Sequence, residues 1–174
     1  RIDGADATTM QFIQHHPRID GDHNITNFMV ESIKALQAGE KAYIANSYFI
    51  PTGALTVYKQ ALMDAAQRGV DVRVVTNSEK TTDAPQINQA AVFPYRDLLK
   101  AGVRIFERKG ERTMHSKSAV FGSHISAIGS WNADNRSASL NSECVAVAYS
   151  PEFAAQVEEM IINDMSSEQA YEVK

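Results

Sequence analysis

The chain holds a single cysteine, a single tryptophan, five prolines and nine glycines in 174 residues, and has no excess of positive charge. Each shortage excludes something. One thiol, Cys144, permits no internal disulfide, and its place in the apolar run 144–148 predicts a buried side chain that decides no compartment. No stretch reaches the roughly 18 apolar residues that a membrane-spanning helix needs. A formal net charge of −4 argues against a surface built for polyanions, which draws its affinity from clustered Lys and Arg, so nucleic acid is a disfavoured partner. The sequence has neither a Walker-type glycine loop nor a Gly-x-Ser-x-Gly elbow, which sets aside P-loop nucleotide hydrolysis and serine-esterase chemistry. Repeats, heptads and low-complexity tracts are also missing. The chain opens on Arg1 without the charged-then-apolar start of a signal peptide, and is read as a fragment or processed piece. At 44% hydrophobic and 22% charged, its length suits one sizeable core.

What is present concentrates in the last third. His115-Ser-Lys117 is followed by Gly129-Ser130-Trp131-Asn132 and then Asn141-Ser142-Glu143. On an extended strand, side chains two apart share a face, so His115 and Lys117 are expected to point together while Ser116 points away. An imidazole can attack phosphorus or protonate a leaving oxygen, and lysine, hydroxyl and amide donors can neutralise charge on the non-bridging oxygens. Glu143 is placed to fix the imidazole tautomer from behind. Arg104, Arg108, Lys109, Arg112 and Lys117 gather before and within this stretch, among Glu107 and Glu111. They form either a solvated charged loop or a positive rim that steers an anion toward His115.

Alternating elements lead to the motif. Residues 10–15 and 42–49 are expected as strands, with a helix over 24–38 carrying Ile25, Phe28, Met29, Ile33 and Leu36 at helical spacing. Thr52 is expected to cap a second helix that ends near Gly69, before a strand over 70–76. A third helical stretch runs from 81–83 to Leu99, stopped by Gly102 and kinked or broken at Pro94. Strands follow over 103–107, 117–121, 125–128 and 144–149, and Ser150-Pro151-Glu152 starts a terminal helix. Such alternation implies an α/β/α layered sandwich around a central mixed sheet, with residues 1–24 as an N-terminal strand and linker and 25–174 as the functional domain. Functional groups on strand ends would then line a crevice at one sheet edge. Tyr48 and Phe49 either line it or pack. Trp131 either covers the site or packs. His15, His16, Asp20, Asp22 and His23 surround Pro17 and Gly21 without established ligand spacing, so no metal site is assigned to them.

The string resembles the phospholipase D superfamily, whose motif runs His-x-Lys, four residues, Asp, six residues, Gly-Ser-x-Asn. Every element matches except the Asp, where this chain has Gly122 in the short turn Phe121-Gly122-Ser123. Glycine suits that turn because it accepts positive φ. The departure touches local anchoring of the turn more than the chemistry. Tyr48-Phe49-Ile50-Pro51, Arg68-Gly69-Val70-Asp71-Val72-Arg73, Leu98-Leu99-Lys100-Ala101-Gly102-Val103 and the run from Asn132 to Glu143 make the chain similar to the C-terminal half of bacterial two-motif enzymes such as the cardiolipin synthases.

The resemblance implies a phospholipase D-like fold and phosphodiester chemistry on phospholipids through a phosphohistidine. His115, Lys117, Asn132 and Glu143 would be catalytic, with Ser130, Tyr48 and Trp131 at the substrate. No cofactor is implied, since lysine and asparagine donors supply the charge stabilisation that a metal supplies elsewhere. In two-motif relatives the C-terminal histidine takes the acid role. His115 would be nucleophile as well if the site is built from identical chains. The second His-x-Lys half would come from a missing N-terminal domain or from a homodimer. Peripheral contact with a bacterial membrane goes with a lipid substrate, and the residues themselves fix no compartment. Three functions stay open: a phospholipid transferase or hydrolase, a nuclease-like phosphodiesterase, and a non-catalytic half-site used for assembly.

Overall fold

A computed structural model describes residues 8–19 and 21–174 of the chain. Its elements are β1 (Thr9–His15), α1 (Asn24–Ala35), β2 (Lys41–Asn46), α2 (Thr56–Gln67), β3 (Asp71–Thr76), α3 (Pro85–Ala101), β4 (Arg104–Arg108), β5 (Lys117–Phe121), β6 (Ile125–Gly129), α4 (Asn135–Ser139), β7 (Glu143–Tyr149), α5 (Pro151–Asp164) and β8 (Ala170–Glu172). The strands form one mixed sheet in the order β1-β7-β6-β5-β2-β3-β4-β8. Pairing is parallel from β2 to β3 and from β3 to β4, and antiparallel elsewhere. Strand β1, expected in a separate N-terminal segment, is the edge of this same sheet, in register with β7 from Thr9↔Tyr149 to His15↔Glu143.

Period-two alternation sorts the core into two layers. Ala42 and Ile44 of β2, with Val72 and Val74 of β3, face Ile25, Met29 and Ile33 of α1 and Leu62 and Ala65 of α2. The intervening Tyr43, Ala45 and Val75 face Ala154, Val157 and Ile161 of α5. A strand covered on both sides must be apolar at nearly every position, and β2 is buried from Ala42 to Asn46. The α/β/α sandwich expected from the alternation is what forms.

Several local expectations change. Strand β2 stops at Asn46 rather than residue 49, because the chain leaves the sheet to form a parallel bridge from Phe49 to Ala133. Thr52 precedes a short 3-10 turn, Gly53–Leu55, and its side chain caps nothing. Helix α3 continues through Pro94, starting with Pro85 in its first turn and closing on Gly102 at φ 99°. Leu98 and Tyr95, buried beyond the proline, tie its second half to the core. Cys144 is exposed, since Val145 and Val147 take the inward positions of β7. Among the described residues no helix is long and apolar enough to cross a membrane.

Candidate active site

The motif residues other than Gly122 lie at one edge of the sheet. It is the edge where β2, β3, β4 and β6 finish and β5 and β7 begin, since Asn46 pairs with Lys117 and Gly129 with Val145. Ligands of open α/β sheets bind outside the carboxyl ends of parallel strands, which is where β2 and β3 deliver their last residues.

Two buried asparagines shape this edge. Asn46, at the end of β2, donates from Nδ2 to the Trp131 carbonyl at 3.3 Å and accepts from the Ala133 amide at 3.0 Å. The backbone on either side of Asn132 is thereby fixed. Asn77, just past β3, donates to the carbonyls of Ser47 (3.0 Å) and Met114 (2.9 Å) and accepts from the Met114 amide at 2.9 Å. It clamps the residue before His115. Both side chains are buried, so each bond replaces one that water would otherwise supply.

Lys117 crosses between these clamps, donating from Nζ to Ser47 Oγ at 2.9 Å and to the His115 carbonyl at 3.1 Å. Burial holds its amine below the ordinary lysine value, opposed by the carboxylates of Glu143, Asp134 and Asp83. Asp134 caps α4 by accepting from the Ser137 amide at 2.8 Å. Burial pushes its carboxyl up against the pull of the Ser137 and Arg136 amides.

Glu143 joins three other side chains of the site. It accepts from the Ser130 hydroxyl, from Ser137 Oγ at 2.7 Å and from Asn141 Nδ2 at 3.2 Å. Ser130 Oγ in turn accepts from the Cys144 amide at 3.1 Å. These contacts differ from the expected one, in which Glu143 would sit behind the imidazole: His115 is not among its hydrogen-bond partners. His115 itself is exposed, in the segment leading into β5, and its ring makes no hydrogen bond among the described residues.

Of the other expected residues, Tyr48 is half-buried and donates to Asp83, and burial first, then that bond, raises its hydroxyl to about 12. Trp131, expected at the substrate, is instead 1% exposed and packed edge-on against Tyr58 at 5.6 Å between ring centroids. Its outward neighbours in the motif are Ser130 and Asn132. Phe49 is buried beside Tyr95 rather than lining the edge. The positive rim does not form as one surface, because Arg104 is paired with Glu172 at 2.7 Å and Arg108 with Asp164 at 2.9 Å. Lys109 donates to the Ser167 carbonyl at 2.7 Å. Asp20 of the polar loop considered for a metal lies outside the described residues, and among the described ones no cluster of three or more His, Cys, Asp or Glu could hold an ion.

The glycines of the motif have separate reasons. A Cβ on Gly129 would stand 2.2 Å from the Cys144 carbonyl oxygen and 2.8 Å from Val145 Cα, so only glycine lets β6 lie this close to β7. Gly122 has φ +63° in the β5–β6 turn, as a left-handed turn position requires.

Sequence reading missed Asn46, Ser47, Asn77, Asp134 and Ser137. One signal was available for the first three: the apolar runs of β2 and β3 both end in Asn-Ser, at Asn46-Ser47 and Asn77-Ser78. Polar pairs repeated at the ends of two buried strands mark a shared edge.

The sequence and the fold have matches among known proteins. A family model described as cardiolipin synthase, PLD-like domain, matches residues 31–165. Cardiolipin synthase A of Pseudomonas syringae pv. syringae is 37% identical over 147 residues, covering 84% of this chain and 29% of that protein. The chain thus spans less than a third of the length of that relative. Among solved structures, Nuc, a phospholipase D family member from Salmonella typhimurium, superposes with a TM-score of 0.75 at 18% identity, covering 97% of this chain and 99% of that one. Phosphatidylserine synthase of Haemophilus influenzae gives a TM-score of 0.70 at 15% identity, covering 99% of this chain and 42% of that one. At such identities the superpositions bear on the fold alone, and the sequence matches carry the assignment: this chain belongs to the phospholipase D superfamily, in its cardiolipin-synthase-like branch.

Proposed function

We propose that the chain is one half of a metal-independent phosphodiester site that acts on phospholipids by hydrolysis or phosphatidyl transfer. The observation that carries this reading is the single edge at which His115, Lys117, Ser130 and Asn132 meet. Lys117 and Asn132 hold the non-bridging oxygens, and Ser130 joins them by turning its single hydroxyl proton from Glu143 to the phosphate. One imidazole attacks phosphorus, forming an N–P bond as the P–O bond to the departing alcohol breaks, and a second imidazole protonates that oxygen. Water or an acceptor hydroxyl then attacks phosphorus, gives its proton to the second imidazole, and the N–P bond breaks. This chain offers one His-x-Lys string, and His15, His16, His23 and His124 have no lysine two residues on. The second imidazole comes from an N-terminal half of a longer protein or from a second copy, with His115 as acid in the first case and in both roles in the second.

A phospholipid is favoured over nucleic acid because Arg104 and Arg108 are engaged in ion pairs and Lys117 stands among carboxylates. A long polyanion finds no broad cationic track there. Substrate, acceptor and membrane contact are parts of this proposal. Its test is turnover of phospholipid vesicles, a small chromogenic phosphodiester and single-stranded DNA, in EDTA, beside the mass of the chain in solution. Vesicle turnover in EDTA by an assembly holding two His-x-Lys strings is expected. A monomer of this chain active alone overturns the two-histidine scheme. A preference for DNA overturns the lipid assignment, and absence of turnover by any such assembly leaves a binding half-site.

A further inference from the structure

The phosphate-binding arm ends on an element with little to hold it. Helix α4 has five residues, too few for backbone hydrogen bonds to sustain it alone, yet it supplies Ser137, the donor that fixes Glu143. Its last-turn carbonyls have no partners further along the helix. One of them, Ala138 O, is met by two imidazoles: His15 Nε2 at 3.1 Å and His23 Nδ1 at 3.1 Å, their rings edge-on with centroids 5.7 Å apart. A carbonyl has two lone pairs, and two neutral imidazoles can each donate one N–H to it.

His15 is 0% exposed, at the last position of β1, directly across from Glu143 in the β1–β7 register. Directly opposed residues project to the same face, so the ring stands beside the carboxylate that Ser137 and Ser130 hold. Nothing in the double-displacement chemistry calls for an imidazole there. A buried polar ring costs stability unless it is bonded, so its place needs a positional reason.

We propose that His15 and His23 are positioning residues for the phosphate-binding arm, holding α4 on the sheet through the Ala138 carbonyl so that Ser137 fixes Glu143 and Glu143 fixes Ser130. The proposal rests on the reading of Ser130 as a phosphate ligand. It also gives the brace a pH dependence. With Nε2–H given to Ala138, His15 Nδ1 is buried without a partner, and a proton placed there would be an unsatisfied buried donor. The ionisable groups facing His15 are Asp22 and His23 from the loop before α1 and Glu143 from β7, while α4 presents the carbonyl. Burial lowers the affinity of the ring for a proton, against the opposite pull of the carbonyl, Asp22 and Glu143. The neutral ring is the one that folding favours, so the brace is complete above the ordinary imidazole range and weakens as pH falls through the depressed folded value.

The experiment compares wild type with His15→Phe, His15→Gln and His23→Ala in the assembly that turns over phosphodiester, from pH 5 to 8, with hydrogen exchange of residues 134–143 measured in parallel. His15→Phe is expected to lower kcat/KM about tenfold, as loss of an outer-sphere partner commonly does. His15→Gln, which keeps an N–H donor, is expected to recover at least half of that loss on a logarithmic scale, and its protection of residues 134–143 against exchange is expected to lack the acid-side loss of wild type. Residues 134–143 exchange faster in His15→Phe. Wild-type kinetics in His15→Phe, or the same acid-side loss of protection over 134–143 in His15→Gln, overturns the proposal. If His15→Phe does not fold, His23→Ala, at the surface and without a donor, still decides: faster exchange over 134–143 supports the brace and unchanged exchange overturns it. Where no assembly turns over phosphodiester, the catalytic reading falls while the exchange data still decide whether the imidazoles hold α4.

Discussion

Two arms approach Lys117, and they are built differently. On the Ser130 arm the side chains themselves are cross-linked: Glu143 is 8% exposed and bonded to Ser130, Ser137 and Asn141. On the His115 arm only the backbone is fixed, by Asn77 at Met114 and by the Ser47 amide, which donates to the Ser116 carbonyl at 3.0 Å. The imidazole that follows is exposed and unbonded. Groups that hold a phosphate work best when oriented before substrate arrives, since they then need no reorganisation as charge develops. A group that moves a proton between two partners must be reachable from both. In the proposed half-site this contrast has a use: this chain would supply the anion-holding groups, and the half that docks against it would orient the imidazole.

The largest effect expected is on the open arm. His115→Ala and Lys117→Ala should each lower phosphodiester turnover by on the order of a thousandfold or more. Stability should move little, because His115 is exposed and Lys117 is only partly buried. Turnover and thermal unfolding measured together separate the two outcomes. Unfolding of His115→Ala would give that residue a structural role and erase the contrast between the arms.

The next effects sharpen the comparison by exchanging its terms. Asn77→Ala leaves the Met114 amide and carbonyl and the Ser47 carbonyl without their side-chain partner, which should cost roughly 3 kcal/mol of stability. The measurement is a denaturant midpoint. If Asn77→Ala is as stable as wild type, backbone clamping does not hold the His115 arm. Glu143→Gln keeps the shape of the other arm but removes one acceptor from Ser130 or Ser137. Activity should fall on the order of tenfold, less than at His115, with a small change in unfolding temperature. Wild-type activity would show that the second side-chain oxygen of Glu143 is not needed to order Ser130.

How far the sequence reveals this depends on the length scale of each feature. The long amphipathic helices, the buried central strands and the spacing from His115 to Asn132 are legible because they repeat a period or match a motif. Helix α4 is not, since five residues give no period, although its cap, Asp134, is a local signal. Strand β8 has three residues and is equally silent. The role of Asn77 depends on β3 lying beside the segment that precedes β5, a contact 37 positions away in sequence. Cys144 departs from its expected burial because residue type suggests an inward side chain, whereas alternation along β7 turns it outward, and Trp131, just past the end of β6, takes the packing alternative.

The smallest effect concerns the position where the family has an aspartate and this chain has Gly122. Its φ of +63° lies in the left-handed region, where a side chain costs about 1–2 kcal/mol, with Asp toward the low end because its carboxylate can bond locally. A Cβ there would also stand 3.2 Å from Glu40 Oε1, bringing a second carboxylate toward one whose Oε2 already accepts from the Gln37 amide at 2.7 Å. Gly122→Asp should therefore lower the unfolding temperature by a few degrees, given about 2–4 °C per kcal/mol for a chain of this size. The turnover rate should stay within about twofold, because the turn lies at the far end of β5 from Lys117. Gly122→Ala separates the two causes, since it carries the backbone strain without the charge. The part of the loss peculiar to Asp should shrink in roughly 1 M salt, where the screening length falls to about 3 Å, while the part shared with Ala should persist. A rise in rate on the order of a hundredfold, equivalent to about 2.7 kcal/mol of barrier, would instead show that the aspartate serves the chemistry and that this chain has lost a catalytic element.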